Sequence, residues 1–158
     1  MKLSILITLL NEELVLSQTH KAISEQLDSM LVSEELSDYE ILYIDDGSRD
    51  KTLELIDAIS QENHRVKYIS FSRNFGRESG ILAGFKYATG DAVMVMDGDL
   101  QHPPYLIPLF VNAFKEGYDI VSGQRTREGE SFIGSFFARC FYAFSNHSMD
   151  VQLTDGKS

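Results

Sequence analysis

The chain has 158 residues, which is enough for one domain with a sizeable core, and its 43% hydrophobic and 24% charged residues are ordinary for a globular protein. It carries 24 acidic and 14 basic residues, and 14 of the acids but only 4 of the bases fall in the first 62 positions. This charge excludes non-specific nucleic-acid binding, which depends on Lys and Arg, and the single Cys140 excludes a disulfide framework or a cysteine-based zinc site.

Short apolar runs with turn-forming flanks predict five strands, and the stretches between them have the length and periodicity of helices. The predicted strands lie at 3–9, 41–44, 66–71, 92–96 and 118–122, and the predicted helices at 13–31, 50–62, 78–88 and 104–115. Acidic residues follow the first run at once, which favours a strand over a signal peptide. No window approaches the roughly 18 consecutive apolar residues of a membrane span.

Several residues are suited to the ends of these helices. Ser48 and Asp50 can cap the second helix, Gly90 can close the third, and Pro103 and Pro104 fit the first turn of the fourth. Strict alternation of strands and helices then predicts an α/β fold, with a mostly parallel sheet covered by helices on both faces. Ligands of such sheets bind beyond the carboxyl ends of the strands.

Polar or charged groups follow each of the predicted strands, at 11–13, 45–50, 72–80, 97–101 and 123–128. After the fourth strand, Asp97 and Asp99 lie on the same side of an extended segment, where their carboxylates repel unless a cation joins them. Oxygen ligands favour Mg²⁺ or Mn²⁺, and Gln101 continues the same face. His102 follows, and a lone His is more often a support of the turn than a metal ligand.

A metal held by so few protein groups suggests a partner that carries phosphate. The glycine-rich dinucleotide fingerprint and the P-loop pattern are both absent from the sequence, which disfavours NAD enzymes and P-loop ATPases. A nucleotide bound at the strand ends by carboxylates remains. Glu12 and Asp45 could accept hydrogen bonds from ribose hydroxyls or from a base N–H group.

The motifs "ITLLNEE", "YIDDGSRDKT", "RNFGRESGILAGFKYATGDAVMVMDGDLQHPP" and "DIVSGQRTREGES" resemble, in order and spacing, those of the family 2 glycosyltransferases. Within that family the chain is similar to the polyprenyl-phosphate glycosyltransferases, the group of dolichol-phosphate mannose synthase and the bactoprenol glucosyltransferases. The resemblance runs from about residue 3 to 150. It implies the GT-A fold, which is Rossmann-like, with a UDP- or GDP-sugar donor, Mg²⁺ or Mn²⁺, and a lipid-phosphate acceptor at the cytoplasmic face of the membrane.

Carried over by position, the resemblance implies catalytic roles for Asp97, Asp99 and Arg125, and a metal held by Asp97, Asp99 and Gln101. It also implies a set of residues that bind the nucleotide sugar: Leu10, Glu12, Asp45, Asp46, Arg73, Gly80, Asp97, Gly98 and Asp99. Two positions depart from the family, which usually has Pro and an aromatic residue where this chain has Thr8 and Leu10. We therefore expect base stacking to be weaker or differently made.

The implied reaction displaces a nucleoside diphosphate from the anomeric carbon in one step, with inversion of configuration. An anionic acceptor phosphate needs alignment more than deprotonation. Arg125 and Arg127 could align it by charge-assisted hydrogen bonds, with Arg73 as another candidate. Members of the family continue with an Asp-Phe-Arg-type motif near the position where this chain stops. We therefore expect residues 1–158 to form a single catalytic domain that is truncated at its C-terminus and lacks a membrane-associated part.

The stretch 132–144 places five phenylalanines, Ile133 and Cys140 on one helical stripe, which fits a core face or an interfacial helix. An exposed stripe would favour self-association into homo-oligomers. Three alternatives to the transferase of lipid phosphate stay open. They are a phosphohydrolase with an aspartyl nucleophile, a piece that binds a sugar nucleotide without transfer, and a family 2 transferase with a saccharide acceptor.

Overall fold

The computed structural model describes residues 1–98 and 103–123. Met1–Asp119 form one compact unit, and the chain from Ile120 onward belongs to a second unit, of which residues 120–123 are described. Within these ranges, no helix combines the length and the apolar character that crossing a bilayer requires.

Strands and helices alternate along the described chain as the sequence predicts. The strands are β1 (Lys2–Leu9), β2 (Asp38–Asp45), β3 (Val66–Ser70) and β4 (Ala92–Asp97). The helices are α1 (Leu16–Val32), α2 (Thr52–Glu62), α3 (Arg77–Tyr87) and α4 (Ile107–Lys115), and a 3₁₀ turn at Pro104–Leu106 leads into α4. Pro104 opens that turn, which confirms its predicted place in the first turn of this segment.

The fifth predicted strand, at 118–122, is wrong, because these residues form no strand. After α4 the chain turns at Gly117, whose φ is +100°. The amide of Tyr118 then donates to the carbonyl of Ala113 at 3.3 Å, and the amide of Gly117 donates to that of Phe114 at 3.0 Å. The polar backbone groups at the start of the apolar run are therefore used to close the helix.

The four described strands form one parallel sheet in the order β3-β2-β1-β4. The order reverses between β1 and β4, because the chain builds outward from β1 to β3 and then crosses back to the other side of β1. In open parallel sheets, ligands are expected to bind at such a reversal, here beyond the carboxyl ends of β1 and β4. The predicted α/β class with a parallel sheet is confirmed.

Helices cover both faces of the sheet. Leu3, Ile5 and Ile7 of β1 point to one face, where apolar side chains of α1, α2 and α4 complete the larger core. Leu6 and Ile44 point to the other face, under α3. Helix α3 comes unusually close there, since a Cβ on Gly84 would lie 2.9 Å from Cδ1 of Leu6. The alternation of side chains along β1 thus divides the core into two layers.

Gly90 does not close α3, so that prediction is wrong. The helix ends at Tyr87, three residues earlier, and the φ of Gly90 is not positive. A Cβ at this position would lie 2.7 Å from the amide nitrogen of Ser4 and 2.9 Å from the carbonyl oxygen of Lys2. Glycine is required here by the close approach of the α3–β4 connection to β1, rather than by helix termination.

A buried carboxylate fastens this connection to the sheet. Glu40 of β2 is 2% exposed, and its Oε1 accepts hydrogen bonds from the Ser4 hydroxyl at 2.7 Å, the Thr89 amide at 2.6 Å and the Thr89 hydroxyl at 2.9 Å. Its Oε2 accepts from Nζ of Lys67 at 2.8 Å, and Nζ of Lys2 lies 3.8 Å away. We call these five residues the Glu40 cluster. It lies near the amino ends of the strands, away from the edge where ligands are expected.

Candidate functional site

The carboxyl ends of the four strands meet at one edge of the sheet, as the sequence predicts. Strand pairing sets Leu9 beside Asp45, Asp45 beside Ser70, and Thr8 beside Asp97. The segments that follow β1, β2 and β3 therefore leave the sheet on the same side as Asp97 and Gly98. We call this edge the donor edge.

The strand order reverses between β1 and β4, and parallel sheets are expected to form a ligand crevice at such a point. Leu10 and Glu12 follow β1 along the chain, and Asp97 and Gly98 lie at the end of β4. Leu10 is 39% exposed although it is apolar. An exposed apolar side chain beside polar groups is suited to contact with the flat face of a base. Four of the predicted donor-binding residues thus belong to the ends of two neighbouring strands, and their contact with a donor stays a prediction.

The loops after β1 and β2 are joined by hydrogen bonds between side chains and backbone amides. Asn11 has a left-handed backbone with φ +58°, its amide donates to Oγ of Ser48 at 2.9 Å, and its Oδ1 accepts from the Arg49 amide at 2.8 Å. The Glu12 amide donates to Oγ1 of Thr52 at 2.8 Å. The bonds run in both directions between the loops and tie the backbone at Leu10 and Glu12 to the β2–α2 loop.

Asp50 supports the same junction and binds the first amide of α2, but it lies one residue before the N-cap, Lys51, and so does not occupy the predicted cap position. Its Oδ1 accepts from the amide of Thr52 at 3.0 Å, and its Oδ2 accepts from the amide of Glu13 at 3.1 Å. Burial alone would raise the pKa of Asp50, but the hydrogen bonds from Thr52 and Glu13 outweigh it and lower that pKa. Ser48, the other predicted cap, binds the β1 loop instead.

Asp45 and Asp46, predicted to bind the donor, are buried and already hold the loops around them. The carboxylate of Asp45 accepts from the Ser48 amide at 3.2 Å and from the Ser70 hydroxyl at 3.1 Å. The carboxylate of Asp46 accepts from the amides of Phe75 and Gly76 at 2.7 and 2.9 Å. These contacts order the edge itself, and contact of either residue with a donor stays a prediction.

Gly47 brings the β2–α2 loop against the β3–α3 loop. Its φ is +75°, and a Cβ at this position would lie 2.5 Å from the carbonyl carbon of Arg73 and 2.9 Å from the amide nitrogen of Asn74. Both neighbours are backbone atoms and cannot rotate away. The glycine of the "DDGS" motif is therefore required for conformation and for space.

The two glycines predicted to bind the donor also have packing roles. A Cβ on Gly80 of α3 would lie 3.0 Å from Cγ2 of Thr8, and a Cβ on Gly98 would lie 2.2 Å from Cδ2 of Leu9. The carbonyl of Gly98 accepts a hydrogen bond from the hydroxyl of Thr19 at 2.9 Å. Both glycines are thus explained by close packing, and their predicted contact with a ligand is not needed to account for them.

Asp97 is paired with an arginine that the sequence analysis did not assign to the site. Nε and Nη2 of Arg77, the first residue of α3, donate to Oδ1 of Asp97 at 3.1 and 2.7 Å. The side chain of Asp97 is 28% exposed and that of Arg77 is 51% exposed. Solvent therefore reaches this ion pair, which lies at the carboxyl end of β4.

The exposed β3–α3 loop carries a second arginine. The guanidinium carbon of Arg73 lies 4.6 Å from the centre of the Phe75 ring, in the range of a cation–π interaction. Phe75 is itself 50% exposed. Arg73 is thus held over a solvent-facing aromatic ring, and its predicted contact with a donor or acceptor phosphate stays a prediction.

Several predicted site residues lie outside the described ranges. They are Asp99, Gln101 and His102 after β4, and Arg125, Arg127, Cys140 and the stripe 132–144 in the C-terminal part. Within residues 1–98 and 103–123, no group of three or more His, Cys, Asp or Glu side chains is placed to hold a metal ion. Of the predicted metal ligands, Asp97 is therefore the one that the structure describes.

The surroundings of Asp97 fit a cation. Its carboxylate already attracts a guanidinium, and it ends β4 with part of its surface open to solvent. Oxygen from a carboxylate is the donor type that Mg²⁺ and Mn²⁺ prefer. When bound, such an ion neutralises charge on a leaving diphosphate. The donor chemistry of Asp97 is compatible with the predicted metal.

Sequence reasoning missed Arg77, Asn11 and Gly47 as parts of the site. Gly47 could have been found, because a glycine in a polar turn after a strand often marks a positive φ. The partnership of Arg77 with Asp97 spans 20 residues and depends on how α3 returns to the sheet. One signal for this pair was available, because the carboxylate of Asp97 needs a cationic partner when no metal is bound.

Comparison with known sequences identifies the family. The model of Glycosyl transferase family 2 matches residues 4–153. Two proteins of Bacillus subtilis, both named as glycosyltransferases, are similar to the chain: CsbB is 45% identical over 98% of the chain and 45% of its own length, and YkcC is 40% identical over 95% and 45%. The protein sll0501 of Synechocystis, also named as a glycosyltransferase, is 39% identical over 96% of the chain and 46% of its own length. The chain thus spans less than half the length of these curated relatives.

Solved structures share the fold. The mannosyltransferase PcManGT from Pyrobaculum calidifontis, in complex with GDP-Man and Mn²⁺, superposes with a TM-score of 0.53 at 18% identity, over 61% of this chain and 27% of that one. Residues 1–349 of TarS from S. aureus superpose with a TM-score of 0.51 at 19% identity, over 82% and 40%. The expected GT-A fold is confirmed. With the parallel sheet and the match over nearly all of its length, the chain belongs to family 2 of the glycosyl transferases.

Proposed function

We propose that this chain binds the nucleotide-sugar donor of an inverting glycosyltransferase whose acceptor is a polyprenyl phosphate, such as an undecaprenyl or dolichyl phosphate. The observation that carries the proposal is the reversal of strand order between β1 and β4, with Leu10 and Glu12 following β1 and Asp97 ending β4 at the same edge of the sheet. An apolar contact for a base, acceptors for a ribose and a carboxylate for a metal diphosphate are what a nucleotide sugar requires.

Roles in the crevice are assigned by what each side chain can offer. Leu10 presents apolar surface to the base, and Glu12 accepts from ribose hydroxyls, on backbone fixed by the bonds to Ser48, Arg49 and Thr52. Asp45 and Asp46 hold the loops of this edge through their hydrogen bonds. The metal, Mg²⁺ or Mn²⁺, is held by Asp97 together with Asp99 and Gln101. PcManGT, which shares the fold, is described in complex with GDP-Man and Mn²⁺.

The acceptor part of the proposal rests on the family resemblance. Arg125 and Arg127, with Arg73 as a further candidate, align the acceptor phosphate by charge-assisted hydrogen bonds. The donor sugar is then displaced from its diphosphate by an acceptor that is already ionised. We place this reaction at the cytoplasmic face of the membrane, where a polyprenyl phosphate presents its headgroup.

A second candidate is a piece that binds the donor without transferring the sugar. It is favoured by the coverage of the relatives, since the chain spans 45–46% of their length. Transfer of labelled sugar to undecaprenyl phosphate, measured for this chain and for a longer relative, separates the two. A saccharide acceptor in parallel reactions tests the remaining alternative, a family 2 transferase that does not use a lipid.

The donor proposal predicts a metal-dependent rise in thermal stability. At a ligand concentration about tenfold above Kd, the free energy of unfolding rises by ~1.4 kcal/mol, which corresponds to roughly 3–6 °C in Tm for a chain of this size. We expect UDP or GDP to give such a rise with Mn²⁺, and a smaller one without it. Asp97→Asn is expected to remove the difference that Mn²⁺ makes.

The control for this variant is Asp38→Asn, which removes the carboxylate of another exposed arginine pair, at the start of β2. It should leave the effect of Mn²⁺ unchanged. Stabilisation by UDP or GDP that is equal with and without Mn²⁺, or that Asp97→Asn leaves intact, would contradict the assignment of Asp97 to the metal.

A further inference from the structure

We propose that Arg77 competes with the metal ion for Asp97 and, once the donor is bound, turns to its diphosphate, so that metal and donor bind cooperatively. This inference rests on the proposed function, because it concerns the same metal and the same donor. Neither the family model nor the names of the relatives assign a role to this arginine.

The first step of the argument is the geometry of the pair. Both hydrogen bonds from Arg77 reach Oδ1 of Asp97, at 3.1 Å from Nε and 2.7 Å from Nη2. A guanidinium this close to a carboxylate oxygen occupies the space around that oxygen that a metal ion bound to it would need. A divalent ion bound at Oδ1 therefore has to displace the guanidinium, or share the oxygen with it against strong repulsion between the two cations.

The second step is the ease of release. The side chain of Arg77 is 51% exposed and that of Asp97 is 28% exposed, so water can replace the hydrogen bonds of both groups. Exposed ion pairs of this kind contribute little to stability. Arg77 is also the first residue of α3, whose backbone is fixed to the sheet through Gly80 and Gly84, so the side chain can swing without moving the helix.

The third step is the destination of the released guanidinium. Arg77 stands at the N-terminal end of α3, at the donor edge. A nucleoside diphosphate that binds a metal at Asp97 brings several negative oxygens to this end of the crevice. A planar guanidinium pairs well with phosphate oxygens, so the donor offers Arg77 a replacement for the carboxylate that the metal has taken.

Cooperativity follows from these three steps. Without a donor, the metal must displace Arg77 and leave its charge without an anionic partner. With a donor, the displaced charge is paired again. Arg77 thus weakens binding of the metal alone and strengthens binding of the metal together with the diphosphate, and by linkage the metal strengthens donor binding by the same factor.

The test measures Mn²⁺ affinity by electron paramagnetic resonance, for the chain and for Arg77→Gln, alone and with UDP or GDP. We expect Arg77→Gln to bind Mn²⁺ alone about fivefold more tightly, the factor that corresponds to an exposed ion pair at the upper end of its usual strength. We also expect the ratio of the Mn²⁺ affinities with and without nucleotide to fall by at least about that factor. Arg77→Lys keeps the charge and should restore part of the competition.

The matched control is Arg65→Gln, because Nε of Arg65 donates to Oδ1 of Asp38 at 3.0 Å in an exposed pair far from the donor edge in the strand register. This variant should leave the Mn²⁺ affinity unchanged, both without nucleotide and with UDP or GDP. Mn²⁺ affinities of Arg77→Gln that match those of the unmodified chain, alone and with nucleotide, would overturn the role of Arg77 and leave the proposed function standing. Absence of Mn²⁺ binding in every arm would overturn both.

Discussion

Replacement of Glu40 by glutamine is expected to lower the free energy of unfolding by ~3 kcal/mol at neutral pH. Burial alone would raise the pKa of Glu40, but hydrogen bonds from Lys67, Ser4 and Thr89 outweigh it and hold the pKa at about 2 instead of its ordinary 4.5. A glutamine cannot carry the charge that Lys67 and Lys2 balance, and its amide group turns an acceptor into a donor. Urea denaturation of both proteins measures the difference.

The pH dependence of this effect has a defined direction. The pKa of Glu40 is lower in the folded chain than in the unfolded chain, so its contribution to stability is complete above pH 4.5 and is lost as the pH falls towards 2. The difference in the free energy of unfolding between the two proteins should shrink across that window. A difference that is constant from pH 7 to pH 3 would show that the charge of Glu40 is not what stabilises the fold.

Asp38→Asn is the matched control, because Asp38 lies two residues before Glu40 on β2 and is also paired with a basic residue, Arg65. Its side chain is 47% exposed, whereas that of Glu40 is 3% exposed. We expect the loss of an exposed pair to cost less than ~1 kcal/mol. Equal costs for the two variants would contradict the importance that we give to burial of the Glu40 cluster.

Replacement of Gly47 by alanine is expected to cost ~3 kcal/mol of stability and to weaken donor binding. A left-handed backbone costs a residue with a Cβ ~1–2 kcal/mol, and the overlap of that Cβ with the backbone of Arg73 and Asn74 adds a similar amount. The loop that is pushed away leads directly into Arg77. Thermal unfolding measures the first effect, and titration with UDP or GDP in the presence of Mn²⁺ measures the second.

Gly117→Ala provides the control for Gly47→Ala. Gly117 also has a positive φ, +100°, but in the described part of the chain no atom lies within 4 Å of the position its Cβ would take. This variant isolates the cost of the backbone conformation, which we expect to be ~1–2 kcal/mol, without the overlap. If Gly47→Ala cost no more than Gly117→Ala, the close approach of the two loops would not be the reason for Gly47.

Much of the fold could be predicted because its signals are local. Apolar runs of strand length and helical periodicity gave four strands and four helices within a few residues, and strict alternation gave the parallel sheet. The predicted strand at 118–122 failed because an apolar run does not show whether its backbone groups are needed elsewhere. There the amide of Tyr118 closes α4.

The position of the donor edge could be predicted from the sequence, whereas most of the contacts within it could not. Parallel strands bring their carboxyl ends together, so Glu12, Asp45 and Asp97 could be placed on one edge. Asp45 and Asp46 accept hydrogen bonds from loop amides. These bonds depend on loop conformations that cannot be read from the sequence. Gly80 and Gly98 could equally have served a ligand or close packing, and only the distances to Thr8 and Leu9 show the packing.

The bonds between the loops after β1 and β2 have a consequence for the cost of binding. Because Asn11, Glu12 and Glu13 are already held by Ser48, Thr52 and Asp50, a ligand that settles over this backbone has little chain entropy to remove. A nucleotide that makes few contacts can therefore lose less of its binding free energy to ordering of the loops. Under the proposed function, exchange of Leu10 for another side chain is expected to change base preference while these hydrogen bonds between the loops are kept.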